Sequence, residues 1–394
     1  MASRASVLLT YLLLLVPPIV VSTFYLLVSF PTPPHRLPAP VFPGLSSLPP
    51  DSRARDIYPE DWLDDGYYAD LPMGRTRYWL VGPESGSKVV LIHGLSVPAF
   101  VWEPLIPQLT AAGNRVLVYD LYGRGYSDAP AAGVVYDPHL YVTQLALLLQ
   151  HVGWQRTRIV GYSMGGAITA AFVATFPRLV EDDIVLIASA GLVESSDLPR
   201  TAKVMSSPIV QLLTANPIIK AYLRRLAASR SSPSSESAGV NTLAELVRLQ
   251  SAHLPGFNRA VSSSLRSGPV RGMSWAFESE GWRGRRVLVV HGTQDNTVPS
   301  AHAARIRGLI VEAGASTNST SSSLSSASPT SSSTSTTRKW SWFASASDSS
   351  SSLEREPSAR VEVEMIPGAG HALTWTHADE VGALVCRFLG GDGV

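Results

Sequence analysis

Short runs that are apolar at every position, VVLI, VLV, IVLI and VLVV, recur along this chain with helical patterns between them, and nothing else in the sequence constrains the fold as tightly. A strand with one wet face alternates polar and apolar residues, whereas a continuous apolar run fits a strand buried on both sides. The helical stretches between the runs supply the two covers. The expected architecture is therefore α/β, a mostly parallel sheet covered by helices on both faces. Strands are expected at Arg75 to Val81, Lys88 to His93, Arg115 to Asp120, Arg158 to Tyr162, Asp183 to Ala188, Arg286 to His291 and Arg360 to Ile366.

Two segments break the alternation. Residues 192–282 read as a mainly helical cap, in which Pro208 to Ala228 carries Ile209, Leu212, Leu213, Ile218, Ile219, Tyr222, Leu223 and Leu226 at helical spacing. That stripe fits either plain packing on the body or contact with an acyl chain or membrane. In residues 316–352, 25 of 37 are Ser or Thr, too little apolar surface to offset ordering entropy, so a disordered insertion is expected. It holds the sequon Asn318-Ser319-Thr320, usable only on the lumenal side of a secretory membrane.

The N-terminal region departs from an ordinary soluble domain. Val7 to Phe30 is 24 residues without a charge, and as a helix it would span roughly 36 Å, enough for a bilayer core of about 30 Å. Pro17 and Pro18 would kink it. Arg4 followed by Val7 to Val16 also fits a cleaved signal peptide, but no small-x-small site follows, so an uncleaved single-pass anchor is the reading adopted, in a secretory or other endomembrane. Arg4 on one flank and Arg36, Arg53 and Arg55 on the other leave its orientation undetermined. The expected organisation is an anchor at 1–30, a Pro-rich spacer at 31–57, a first core part at 58–191, the cap at 192–282 and a second core part at 283–394 carrying the insertion.

Charge and cysteine content exclude several functions. Lys plus Arg total 32 against 31 Asp plus Glu, so no basic surplus draws a phosphate backbone, and nucleic acid is not an expected partner. The single cysteine, Cys386, permits neither an intrachain disulfide nor a thiolate metal cluster. No metal-ligand cluster or nucleotide loop is present, so neither metal nor cofactor is expected.

The chemistry-bearing residues come in a definite order. Gly161-Tyr162-Ser163-Met164-Gly165-Gly166 lies between an expected strand and a helical pattern, the context in which a serine is held exposed on a tight turn. Asp295 follows the strand Val287 to His291, and His371 follows the last strand within Pro367-Gly368-Ala369-Gly370-His371-Ala372. A hydroxyl is a weak nucleophile unless a base removes its proton, which His371 would do with Asp295 fixing its tautomer. Glu194 and Asp197 are rival acids, and Asp295 could instead serve only its own turn. The amide of Met164 and that of Leu95, in His93-Gly94-Leu95-Ser96, are the candidate oxyanion donors, with His93 and Gly94 structural. His35, His139, His151, His253, His302 and His377 read as surface or packing residues, and His291 as a core histidine.

With these residues assembled, the chain from Tyr78 to Phe388 resembles the α/β-hydrolase superfamily through LIHGLS, VYDLYGRGYSD, VGYSMGG, HGTQDNTVP and PGAGH. The resemblance implies the α/β-hydrolase fold, a structural role for Asp120 to Asp128, and, with serine at the elbow, cleavage of ester, thioester, amide or C–C bonds. A narrower likeness, carried by the apolar N-terminal run, SMGG and Ala190-Gly191-Leu192, is to membrane-anchored monoacylglycerol lipases and esterases. It implies a small-molecule or lipid ester substrate. Hydrolysis of C–C or amide bonds, for which Glu245, Glu278 or Glu280 could anchor an amino terminus, and a non-catalytic binding role stand as alternatives.

Overall fold

The computed structural model describes residues 16–20, 22, 41–131, 133–194, 238–315 and 358–390. The chain divides into two units, Met1–Ala39 and Pro40–Val394. In the first, residues 16–20 are helical, with Val16, Ile19 and Val20 exposed. The expected span from Val7 to Phe30 otherwise lies outside the described residues, and among those described no helix is long and apolar enough to cross a membrane. The stripe at 208–228, the sequon, the insertion at 316–352, His35 and Asp197 also lie outside them.

The second unit is built on an eight-stranded sheet. Its strands are β2 (Gly66–Leu71), β3 (Gly74–Val81), β4 (Ser87–Ile92), β5 (Asn114–Tyr119), β7 (Thr157–Tyr162), β8 (Val180–Ile187), β9 (Arg286–Gly292) and β10 (Arg360–Ile366), in the order β10-β9-β8-β7-β4-β5-β3-β2. From β10 to β5 all neighbours are parallel, and β3 and β2 add on antiparallel at one edge. A separate two-residue ribbon pairs β1 (Val41–Phe42) with β6 (Ala129–Pro130).

Because side chains alternate across a pleated strand, each apolar run feeds two cores at once. Val90, Ile92, Leu117, Ile159, Ile184, Leu186, Val287 and Val289 pack on one face, with α3 (Pro138–His151), α4 (Met164–Thr175) and α8 (Ala301–Ala315). Val89, Leu91, Val116, Val118, Val160, Val185, Leu288 and Val290 pack on the other, with α1 (Arg53–Ile57), α2 (Ile106–Ala111) and α10 (Ala378–Gly390). The helix start at α3 is legible in sequence: Asp137 accepts from the Leu140 amide at 2.9 Å, and Pro138 occupies the first turn, where no amide donor is needed.

The described part of the cap carries three helices, α5 (Ala238–His253), α6 (Phe257–Ser267) and α7 (Ser274–Phe277), and a short helix α9 (Leu373–Thr376) follows His371 after β10. The Gln250 side chain on α5 accepts from the Gly125 amide at 2.8 Å, and Gly191, just after β8, exchanges backbone bonds with Val270 and Met273.

One expectation is corrected. Residues 41–57 are not a free spacer, because Leu45, Ala54 and Ile57 are buried and the Leu45 amide donates to the Gly125 carbonyl at 2.8 Å. The reason lies in aromatic packing that composition hides. Tyr58 and Trp62 meet Trp79 and Phe100 at ring-centroid separations of 5.4 to 5.9 Å, which draws the preceding segment onto the body.

Candidate active site

Ser163 sits where β7 ends and α4 begins, at φ 55 and ψ −118. A non-glycine residue at positive φ is costly, and here the surroundings impose it. The Ser163 amide donates to Ile187 O at 2.9 Å, and its carbonyl accepts from Gly166 N at 3.0 Å and Ala190 N at 2.9 Å. The turn closes only around bare backbone: a Cβ on Gly165 would stand 2.0 Å from the Ile92 carbonyl oxygen.

Asp295 does two things at once. Its Oδ1 accepts from the amides of Thr297 at 2.8 Å and Val298 at 2.9 Å, the turn its sequence context allowed. Its Oδ2 stands 2.8 Å from Nδ1 of His371. Burial alone would push this carboxyl up, but hydrogen bonds from His291 and His371, the charge of His371 and the Val298 amide outweigh it. The carboxyl is held well below the ordinary aspartate range.

Nε2 of His371 lies 2.9 Å from Ser163 Oγ, so serine, histidine and aspartate form one continuous chain. A carboxylate can only accept, so Nδ1 carries the proton and Nε2 presents its lone pair to the serine hydroxyl. The imidazole is also held from behind. Tyr162 donates its hydroxyl to the His371 carbonyl at 3.0 Å, and its ring lies 5.4 Å from the imidazole.

The loop after β4 passes beside the serine: a Cβ on Gly94 would lie 3.3 Å from Ser163 Cβ. His93 secures that loop. The Leu121 amide donates to its Nε2 at 2.8 Å, leaving Nδ1–H to donate to Gly94 O at 2.8 Å, and burial, with a smaller contribution from Arg124, pushes its pKa down to about 3. Both ring nitrogens of His93 are thus engaged, and neither is left to take a proton from Ser163. The Leu95 carbonyl accepts from Arg124 Nε at 2.8 Å. The Met164 amide, first in α4, has no partner within its own helix by position.

Asp120 anchors the neighbouring turn by accepting from Ala99 N and Tyr126 N, each at 2.8 Å, and from the Tyr58 hydroxyl at 3.3 Å. Burial pushes its pKa up to about 7, and those donors oppose the shift. Between an unfolded value near 3.8 and about 7, the folded protein holds a proton that the unfolded chain has released. The Asp120 contribution to stability therefore falls as pH rises through that window and is lowest above it. Melting temperatures measured from pH 5 to 8 should decline more steeply for the native chain than for Asp120→Asn; parallel curves would show that Asp120 stays ionised throughout.

The rival acid Glu194 accepts from Arg305 at 3.0 Å on an exposed surface, and it is Asp295 that stands against His371 Nδ1. Three contacts escaped sequence reasoning. His291 reads as a core residue, and it is fully buried, yet its Nε2 lies 3.3 Å from Asp295 Oδ2 as well as 3.0 Å from Val298 O. Its place four residues before the acid, at the end of a strand, was the available signal. Tyr162 and Arg124 both lie inside motifs whose other residues drew attention first. Among the described residues no cluster of three His, Cys, Asp or Glu could hold a metal ion.

Comparison with known proteins places the fold. The sequence profile of the α/β-hydrolase fold family matches residues 88–317. A 2-hydroxy-6-oxo-2,4-heptadienoate hydrolase of Pseudomonas putida is 30% identical over 235 residues, covering 57% of this chain and 78% of that protein. A Synechocystis protein bearing the name of a non-heme chloroperoxidase is 25% identical over 331 residues, covering 82% of this chain and 95% of that one. Among solved structures, a meta-cleavage product hydrolase from Pseudomonas fluorescens superposes with a TM-score of 0.54 at 20% identity, over 84% of this chain and 99% of that one. A bacterial membrane phospholipase A does so with a TM-score of 0.54 at 18% identity, over 83% and 86%. With the strand order and these matches together, the chain belongs to the α/β-hydrolase fold family.

Proposed function

We propose that this protein is a serine hydrolase that cleaves carboxylic esters of hydrophobic acyl groups through an acyl-enzyme. One observation carries the reading: the unbroken run from Ser163 Oγ to His371 at 2.9 Å and on to Asp295 at 2.8 Å, with the serine fixed on a strained turn. In this reading Ser163 Oγ attacks the acyl carbon while His371 Nε2 takes its proton. The tetrahedral oxyanion is met by the amides of Met164 and Leu95. His371 then returns the proton to the leaving alcohol as the acyl–oxygen bond breaks, and water repeats the cycle to release the acid. Asp295 holds the tautomer and stabilises the imidazolium.

The lipid character of the substrate rests on the sequence. A 24-residue uncharged run at the N-terminal end would tether the catalytic body at a bilayer, where amphiphilic esters are concentrated. A second reading, C–C bond cleavage, is favoured by the Pseudomonas putida relative, named a 2-hydroxy-6-oxo-2,4-heptadienoate hydrolase, since the molecule in that name holds no ester or amide bond to hydrolyse. There the group leaving the acyl carbon is a carbanion that must be protonated, and the same triad residues serve.

Labelling with a fluorescent fluorophosphonate tests the reading, with Ser163→Ala as the control and nitrophenyl esters of graded chain length as substrates. Labelling lost in Ser163→Ala, with rates rising toward longer acyl chains, is the expected result. Turnover of a vinylogous 1,5-diketone in preference to every ester moves the assignment to C–C cleavage. No labelling of folded native protein overturns it in favour of a binding role.

A further inference from the structure

Arg124 is fully buried, and among the described residues no carboxylate lies within 4.0 Å of it to form an ion pair. Burying a cation without a counter-charge is costly, and a chain needing only a packed turn here would do better with a neutral side chain. The guanidinium instead makes four hydrogen bonds, all to neutral acceptors: Nε to Leu95 O at 2.8 Å, one terminal nitrogen to Tyr122 O at 2.8 Å and Tyr141 Oη at 2.5 Å, and the other to Ser264 Oγ at 3.0 Å. Its charge is further met by the faces of the Tyr141 and Tyr136 rings, 5.6 and 6.0 Å away.

These acceptors belong to four different parts of the fold. Leu95 is in the loop beside the nucleophile, Tyr122 in the turn after β5, Tyr141 on α3, and Ser264 on the cap helix α6. The Ser264 hydroxyl lies 2.7 Å from Tyr141 Oη and donates to Ala260 O at 2.8 Å, so it too is fixed. The planar fork of an arginine can hold several acceptors at set angles, which a lysine cannot reproduce. If α6 shifts on the body, the Leu95 carbonyl loses its fixed partner, and the peptide that carries the Leu95 amide is then held from its Gly94 side alone, by His93.

From this arrangement we infer that Arg124 is a positioning residue for the oxyanion donor at Leu95, tying the aim of that amide to the seating of cap helix α6. The inference rests on the serine-hydrolase reading above. The cap in this view is not only a cover for substrate. Its seating sets whether the tetrahedral intermediate is stabilised, so acyl transfer is fast only with α6 in place.

Three variants test it in the full chain: Arg124→Lys, Arg124→Met and Ser264→Ala, the last cutting only the tie to the cap. For each, kcat and KM on a nitrophenyl ester, melting temperature, and inhibition by a boronic acid that forms a tetrahedral adduct on the serine would be measured. The loss of one oxyanion donor lowers kcat by about 10²- to 10³-fold, so both Arg124 variants should lose about 10² in kcat and bind the boronic acid weaker by a similar factor, with KM little changed. Ser264→Ala should move both quantities the same way by a smaller factor, with a modest fall in melting temperature because Arg124 and Tyr141 each lose a buried partner. Variants with lowered melting temperature but native kcat and boronic-acid affinity would overturn the inference, as would Ser264→Ala with native kinetics should the Arg124 variants fail to fold. The native chain and Ser163→Ala, run alongside, separate this failure from that of the hydrolase reading: an inactive, unlabelled native chain sinks the latter.

Discussion

Ser163→Ala and His371→Ala are each expected to lower kcat on an activated ester by about 10⁶-fold, and the double variant to lose no more than either alone. The magnitude is that of serine-protease triads, and the reason for the shared loss is visible in the geometry. His371 Nε2 has one task at 2.9 Å from Ser163 Oγ, to take the proton that the hydroxyl sheds as it attacks. Without the serine there is nothing for the base to activate. Without the base, the hydroxyl remains protonated and attacks poorly. The residual rate, about 10³-fold above water, should survive in all three variants, because the donors that meet the oxyanion are backbone amides untouched by the substitutions. Steady-state kinetics with sufficient enzyme to exceed the background would measure it. Losses that multiply in the double variant would mean that the two residues act independently, and the nucleophile-and-base assignment would fail.

The sheet and the site were legible to different degrees, for physical reasons. The parallel strands were readable because both faces are buried, so β4, β5, β7, β8 and β9 carry continuous apolar runs. The antiparallel edge strand β2, Gly-Tyr-Tyr-Ala-Asp-Leu, carries no such signal, because a strand with one wet face and polar tyrosines resembles a loop by composition. Leu45 and Ala54 escaped for a related reason: proline density around them reads as an extended spacer, while their burial depends on Tyr58 and Trp62 finding rings that lie far off in sequence. Ser163, Asp295 and His371 are brought together because each follows a strand of one parallel set, β7, β9 and β10, with β8 between the first two. The support around them was not readable. Nothing in spacing tells that Tyr162 backs the imidazole or that Arg124 ties a loop to the cap, and the place of His291 four residues before the acid was the one hint that it shares the carboxylate. Those contacts depend on side-chain directions that only the packed structure supplies.

Asp295→Asn is expected to lower kcat by about 10⁴-fold while leaving the fold intact, the loss that the same change causes in a serine protease through the wrong histidine tautomer. The two oxygens of Asp295 explain why catalysis and stability should separate. Oδ1 accepts from the amides of Thr297 and Val298, and an asparagine carbonyl can keep both bonds. In place of Oδ2 an asparagine presents an NH₂ group, which now faces Nδ1 of His371 at 2.8 Å. Two donors cannot bond, so the imidazole must place its proton on Nε2, where it points at the serine and cannot receive another. His291 loses its longer contact of 3.3 Å to the carboxylate but keeps the Val298 carbonyl at 3.0 Å, so the buried strand end remains tied. Because the native carboxyl is held well below its ordinary range, it stays ionised wherever an imidazole base can work, and the acid fall in native activity should not report on Asp295. Its stabilising contribution is present above the unfolded aspartate value and is lost only as pH drops through the lower folded one. Melting temperature and kcat measured on the same preparation decide the matter. A stable variant with severely reduced kcat matches the geometry, whereas a stable variant with near-native turnover would show that another carboxylate orients His371, with Asp197 the one to substitute next.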